Sequence, residues 1–430
     1  MKSPGVFANG LALWSVALWL PALLLADVGV LNAHPPTGAD EAATVAESPV
    51  AGVRIIREKN YDKQPAHYLS SNLYTTLASG RDNFNEFVAF DFQIPDKGGP
   101  LPHTHSNEWE TFFVHQGDVV FTVGVDPTKS GDDAFITQVI REGTIVYGPQ
   151  GPVHGFENKS GKFARIFSFA MPAGLDNFFV TSGERVTDFD APIPSILDHP
   201  EEILRTAFWA EQRGDGLYRP VAGVEPPGPG CLPPQPDPHQ IIPGFALPGY
   251  LCPPAPDVVA SIADSPRETL PSGVTRVHLL TQTQVGNITG AVAFCGPGLP
   301  GRPGGSVNYD HISVPHQDRF PALAPSTNVE VFYVLEGTLS FKFAGKTVDV
   351  PELTYVEIQA GVPFSLNTPK KTAIAKSLNV SVIRPPTLCA FSIFPPPRAV
   401  GGSVQRTPTG KLPGSESAEE ILERFRKRDK

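Results

Sequence analysis

The residues best suited to chemistry lie in two short stretches. One holds His103, Thr104, His105, Glu108 and Glu110; the other runs from Gly143 through Pro149 and Gly151 to His154 and Asn158. Three imidazoles and a carboxylate can converge on one metal ion. Along a β-strand, residues two apart share a face, so His103 and His105 aim to one side while Thr104 faces away. Glu108 stands two residues before Glu110 and shares its face if the strand has begun there, which makes it the alternative carboxylate donor. His115, five residues past Glu110, falls on the opposite face and is expected to point away from the ligands. Tyr74, upstream of the cluster, is read as a structural tyrosine.

Such donors need a frame, and the composition indicates its kind. The chain has 430 residues, 40% of them hydrophobic, with 47 Pro, 40 Gly and 27 Phe. Pro and Gly break helices and aromatic side chains suit pleated surfaces, so an all-β protein with two domains is expected. From Val53 to about residue 190, short apolar runs alternate with turn residues: Phe87 to Phe92, Thr111 to Val114, Val119 to Val123, Ala134 to Ile140, Gly143 to Tyr147 and Ala164 to Ala170. Strands of that length and spacing predict a barrel or sandwich. Between Asp198 and Arg213, Pro200 with Glu201 and Glu202 marks the first turn of a helix. A segment rich in Pro and Gly follows, so 191–266 is read as a helix plus an extended connector.

Strand-like runs resume over 267–396, and one repeats an earlier pattern. Glu110, Phe112, Phe113 and Gly117 recur at the same spacing as Glu330, Phe332, Tyr333 and Gly337. The chain is therefore expected to be an internal duplication. In the tail, 397–430, Ser417 and Glu420 form a capping-box pattern ahead of Ile421, Leu422 and Phe425, predicting a short C-terminal packing helix.

An apolar run after Lys2, from Leu11 to Leu25, reads as a signal peptide over 1–33. It is shorter than a membrane span and contains Pro21, so cleavage and secretion to an extracellular location are expected, with no membrane partner thereafter. In an oxidising compartment Cys231, Cys252, Cys295 and Cys389 can pair, in any of three ways. The sequons at Asn158, Asn287 and Asn379 are compatible with the same route and with a glycoprotein. A formal net charge of −10, with no basic stripe, excludes nucleic acid as a partner.

His103, His105, Glu110 and Gly117 fall at the spacing of the first cupin motif, and Gly143, Pro149, Gly151, His154 and Asn158 at that of the second. The chain thus resembles a two-domain cupin, or bicupin. One departure is Gly98, which lies one residue closer to the first histidine than is usual. The resemblance implies two tandem cupin jelly-roll β-barrels, 53–190 and 267–396, with His103, His105, Glu110 and His154 as metal ligands in the first. Three imidazoles and one oxygen suit Cu, Fe, Mn, Ni or Co. In the second copy the positions corresponding to the histidines hold Leu323, Pro325 and Phe364, so no metal is expected there; His311 and His316 would have to be rearranged to restore a site.

One loaded barrel joined to one empty barrel is similar to the secreted fungal quercetin 2,3-dioxygenases, which hold copper in the N-terminal barrel. That resemblance implies a single divalent ion, copper favoured, and a flat aromatic substrate walled by Phe112 and Phe156. It implies Glu110 as the base that takes the proton of a flavonol 3-hydroxyl. Dioxygen would then open the ring, releasing carbon monoxide and a depside. The enzymatic rival is an oxalate decarboxylase or oxidase, also a cupin, but a small dianion calls for a nearby cation and none stands between His103 and Gly117. A secreted storage or binding cupin is the non-enzymatic rival. A homodimer is compatible with this architecture.

Overall fold

The structure, a computed structural model, describes residues 46–83, 85–105, 108–149, 151–213, 215–217, 220, 222–223, 258–281, 306–383 and 418–429. The leader 1–33, the four cysteines, Asn287, Ser417, most of the Pro-rich connector and 384–396 lie outside the described residues.

The alternation of Trp109-Glu110-Thr111-Phe112-Phe113-Val114 shows why the fold forms two layers. Phe112 and Val114 join the core inside the first barrel, whereas Trp109 and Phe113 face the opposite way into a second core. This strand, Trp109–Gln116, is hydrogen-bonded on both sides, to Ala164–Met171 and to Thr144–Gly148. Those strands belong to an eight-stranded antiparallel sheet that also contains Ala66–Leu69, Asn72–Ala78 and Val88–Ile94. Gly155–Glu157, Val119–Val125 and Phe135–Ile140 form the smaller sheet, and its Phe121 and Phe156 share the inner core with Phe90, Phe92 and Phe112.

The second barrel repeats the plan, with a seven-stranded sheet built around Val329–Glu336 and Ile374–Ile383 and a four-stranded sheet around Thr338–Phe343. Duplication extends to local geometry. Glu110 lies opposite Ala170, and Glu330 opposite Ser381. A bulge interrupts each strand, at His115 in one and Leu335 in the other, and is followed by Gly117 or Gly337, both at φ 77. The fold is all-β, with tandem cupin jelly rolls.

The pairing crosses the domain boundaries read from sequence. Val53–Ile56, expected to open the first barrel, pairs with Tyr355–Ile358 in the second. Val258–Ser261, expected in the connector, pairs with Thr144–Gly148 in the first. Backbone hydrogen bonding decides membership, and each strand finds its open sheet edge on the other barrel.

The outer faces of the two large sheets pack on each other. Trp109, Phe113, Phe167 and Phe169 meet Tyr309, Tyr333, Leu378 and Val380 in one buried cluster. A buried polar group ties this interface: Arg165 Nε donates to both oxygens of Asp91 at 2.9 and 2.8 Å, and the Tyr333 hydroxyl donates to Asp91 Oδ2. His115 does point away from the metal ligands, but into this interface, its ring 5.8 Å from that of Tyr333. Burial pushes its imidazole down to about 4.

Three α-helices cap the first barrel: α1 (Leu175–Ser182), α2 (Pro200–Arg213) and α3 (Ala418–Asp429). Sequence patterning gives α2 and α3 but not α1, whose aromatic and β-branched residues are weak helix formers. Packing overrides propensity there, with the Phe179 ring 4.4 Å from Tyr74. Helix α2 is anchored by Glu202, whose Oε1 accepts from Ser70 N at 2.7 Å, and by Arg205, whose Nε donates to Ser182 O at 3.2 Å.

Two sequons have structural uses. Asn158 Nδ2 donates to Ile94 O and Lys162 O, and Asn379 Nδ2 donates to Glu330 Oε2. Both side chains are buried, so the folded chain leaves no room for a glycan on either.

Asp91→Ala would leave the buried Arg165 guanidinium with only the half-exposed Glu58, 2.8 Å from its Nη1, as a partner, and is expected to cost about 3 kcal/mol in urea unfolding, against about 1–3 kcal/mol for Tyr333→Phe. Burial raises Glu202 from its ordinary 4.5 to about 7. A raised carboxyl destabilises the fold as it ionises, so stability should fall as pH climbs from 4.5 to 7, by up to about 3 kcal/mol. Thermal melts of Glu202→Gln should lose that slope.

Candidate metal centre

The first ligand stands on the short strand His103–Thr104, the second, His105, follows directly after it, and the last is placed by a backbone bridge. His103 N donates to His154 O at 2.8 Å, and His154 N donates to His103 O at 2.9 Å. Glycines allow this close approach: a Cβ on Gly99 would lie 2.1 Å from Phe156 O, and one on Gly155 2.9 Å from Pro102 Cα. Glu110 reaches the same point from the neighbouring strand.

The four donors converge. His103 Nε2 is 3.2 Å from His105 Nε2, His105 Nε2 is 3.0 Å from Glu110 Oε2, and His154 Nε2 is 3.6 Å from the same oxygen. One ligand atom from each lies within 4.8 Å of the others. The other ring nitrogens set the tautomers. His103 Nδ1 lies 2.8 Å from Leu101 O and His154 Nδ1 3.3 Å from Pro152 O, each as donor, which leaves both Nε2 lone pairs facing inward.

These residues fit a divalent transition ion. His154 Nε2 is fully buried with no hydrogen-bond partner among the described residues, an atom that a metal would satisfy. Burial, with the neighbouring imidazoles, drives His103 down to about 3, and burial also lowers His154, so both are in the neutral form that ligates. Burial works against charge on His105 too, but Asp215 and Glu110 overcome it and hold this ring up at about 10. Against burial, His105 and His154 hold Glu110 well below the usual carboxylate range. The carboxylates thus call for positive charge at the centre, which an ion supplies.

Glu108, the alternative donor, stays outside the four. Strand alternation begins only at Trp109, so the two-residue rule does not reach it, and its Oε1 instead lies 3.7 Å from His105 Nδ1. Asp215, which no motif flagged, is 3.6 Å from that nitrogen on the other side. Gly216–Leu217 pairs with His103–Thr104 and so brings Asp215 there. Ser168 was likewise missed; its Oγ donates to Glu110 Oε1 at 3.3 Å.

Above the ligands lies a cavity of about 80 Å³, with His103, His105 and Glu110 in its wall. Phe112 and Phe156 line it, together with Tyr74, Phe92 and Phe179. Tyr74, read as structural, therefore also faces the site, its hydroxyl accepting from Asn72 Nδ2 at 2.9 Å. Ile203 of α2 and Ile421 and Phe425 of α3 also line it. Among the described residues no Lys or Arg lines it, and Glu110 and Asp215 are its carboxylates.

The second barrel has kept the carboxylate and lost the imidazoles. Glu330 accepts from Ser326 and Ser381 at 2.6 Å each and from Asn379 at 3.0 Å, so neutral donors satisfy it. Leu323 is exposed, Pro325 pairs with Pro363, and His316 Nδ1 donates to Thr368 O. Neither His311 nor His316 joins Glu330 in a donor cluster among the described residues.

His154→Ala is expected to abolish bound metal, measured by elemental analysis, with an unchanged far-ultraviolet spectrum. Asp215→Asn should weaken metal affinity by about 10–100-fold in a chelator competition.

Residues 90–169 match the family model of the cupin domain. No curated protein matches the sequence. Among solved structures, protein Ylba from E. coli is 12% identical with a TM-score of 0.45, covering 81% of this chain and 99% of that one. Procruciferin, an 11S globulin of Brassica napus, is 13% identical at 0.43, over 75% and 83%. The oxalate decarboxylase of Bacillus subtilis, studied for its Mn(II) centres, is 11% identical at 0.44, over 79% and 78%. The matched segment contains His103, His105, Glu110 and His154, and the barrel that carries them is a cupin domain.

Proposed function

We propose that this chain is a metal-dependent dioxygenase that opens the ring of a flat hydroxylated aromatic, a flavonol such as quercetin. The observation that carries this reading is a three-imidazole, one-carboxylate centre under an apolar, aromatic-lined cavity with no lysine or arginine among the described residues of its wall. His103, His105, Glu110 and His154 would hold one ion, with copper favoured by the resemblance to quercetinases. When bound, the ion would acidify a ligated substrate hydroxyl and bring substrate and dioxygen together.

The chain's own residues would do the rest. Phe112 and Phe156, their ring centroids 5.7 Å apart, offer apolar surface to a flat ring and exclude water from it. Glu110 turns Oε2 toward the imidazoles and holds Oε1 on Ser168 Oγ by a weak 3.3 Å hydrogen bond. That second oxygen is available to take the proton of the substrate hydroxyl. We place the reaction outside the cell, on the strength of the apolar leader; among the described residues no helix is long and apolar enough to cross a membrane.

A second reading, decarboxylation or oxidation of oxalate, draws support from the small size of the cavity. Charge opposes it, because a dianion would meet Glu110 and Asp215 with no arginine or lysine among the described residues of the wall.

Metal-loaded protein incubated with quercetin should bleach its visible absorbance with matched oxygen uptake and carbon monoxide release. Absence of oxygen uptake would sink the dioxygenase reading, and carbon dioxide released from oxalate would establish the second.

A further inference from the structure

Helix α3 lies beyond the second barrel in sequence, yet it closes the first. Ile421 and Phe425 are four residues apart, one turn, so they share a helix face, and both are buried in the cavity wall. Arg426 and Lys427 face solvent. The helix packs through a satellite cluster, Leu101, Ile196, Ile203, Ile421 and Phe425, that is separate from the core inside the barrel. One polar clasp fixes its outer side: Arg424 Nε is 3.1 Å from Asp132 Oδ1, and the guanidinium stands 5.4 Å from the Phe135 ring centroid.

The walls of the cavity therefore differ in kind. Phe92, Phe112 and Phe156 stand on strands whose backbones are locked into ladders, and cannot move without breaking hydrogen bonds. Ile421 and Phe425 stand on a helix outside the sheets and reach the cavity through their side chains. A space of about 80 Å³ holds only a handful of waters. A three-ring flavonol needs more room than that, and Phe425 and Ile421 are part of the wall that bounds the space.

We propose that Phe425 and Ile421 of the C-terminal helix are specificity-determining residues, setting the size of aromatic substrate that the metal centre accepts. This rests on reading the cavity as the substrate site, and does not require that turnover be ring opening. A side chain cut back here leaves a void beside a one-ring ligand but makes room for a three-ring one.

The test is equilibrium binding to the full-length, metal-loaded protein without oxygen, using quercetin and catechol as probes. Phe425→Ala and Ile421→Ala should each lower the ratio of the quercetin Kd to the catechol Kd by about tenfold. Phe425→Trp should raise it, and Arg426→Ala, on the solvent face, should leave it unchanged. Metal content and far-ultraviolet spectra keep the comparison to folded, loaded protein. An unchanged ratio in both alanine variants overturns the proposal, as does failure of the wild-type protein to bind either probe. If the ratio shifts while quercetin is bound but not oxidised, the dioxygenase reading falls and the specificity wall stands. If quercetin is oxidised and the ratio does not move, the outcome is reversed.

Discussion

The metal centre depends on one backbone contact, the reciprocal pair of hydrogen bonds between His103 and His154. It closes the barrel mouth and converts two remote stretches of sequence into one chelating surface. The contact is possible because the chains can approach there: Gly99, at φ 131, and Gly155 occupy places where a side chain would strike backbone. Once the bridge forms, the inward direction of His103 and His154 follows from the pleat, and Glu110 arrives on the next strand in register with Gly148. Gly148 is itself constrained, since a Cβ there would come within 3.2 Å of the His154 ring.

Comparing the two barrels separates what the fold requires from what the metal requires. Both keep a buried carboxylate at the same register position, Glu110 or Glu330. A buried carboxylate must be paired or hydrogen-bonded. In the first barrel imidazoles meet that demand, and in the second Ser326, Ser381 and Asn379 do. The carboxylate alone is therefore no sign of a metal site. Its partners carry the information.

This explains how much of the molecule the sequence discloses. Alternation along Trp109–Gln116, the His-x-His spacing and the repeat of Glu110 through Gly117 at Glu330 through Gly337 are local, and they disclose the fold and three of the four candidate donors. Asp215, Ser168 and the face of α3 reach the site only through pairings between distant segments, as when Gly216–Leu217 lays itself beside His103–Thr104. Nothing in their neighbourhood marks them. The exchange of Val53–Ile56 and Val258–Ser261 between barrels is hidden for the same reason, because a short apolar strand fits either open edge. Glu108 marks the limit of the local rule, because the strand begins only at Trp109.

The second barrel also has a physical reason to persist whether or not it holds a metal. The strand that holds Glu110 is apolar on both faces, and its outer residues Trp109 and Phe113, with Phe167 and Phe169 beside them, are almost wholly buried against the partner barrel. Aromatic side chains bury roughly 150–250 Å² each, so exposing this surface would weaken the sheet that aligns the ligands and invite aggregation. Asp91 and Arg165 add a specific demand, since the Tyr333 hydroxyl completes their hydrogen bonding from the second barrel. The Thr111 hydroxyl, on the ligand-bearing strand itself, is bonded to Tyr309 at 2.7 Å. The second barrel in this sense supports the candidate metal centre: it covers the back of the sheet from whose front Glu110 projects.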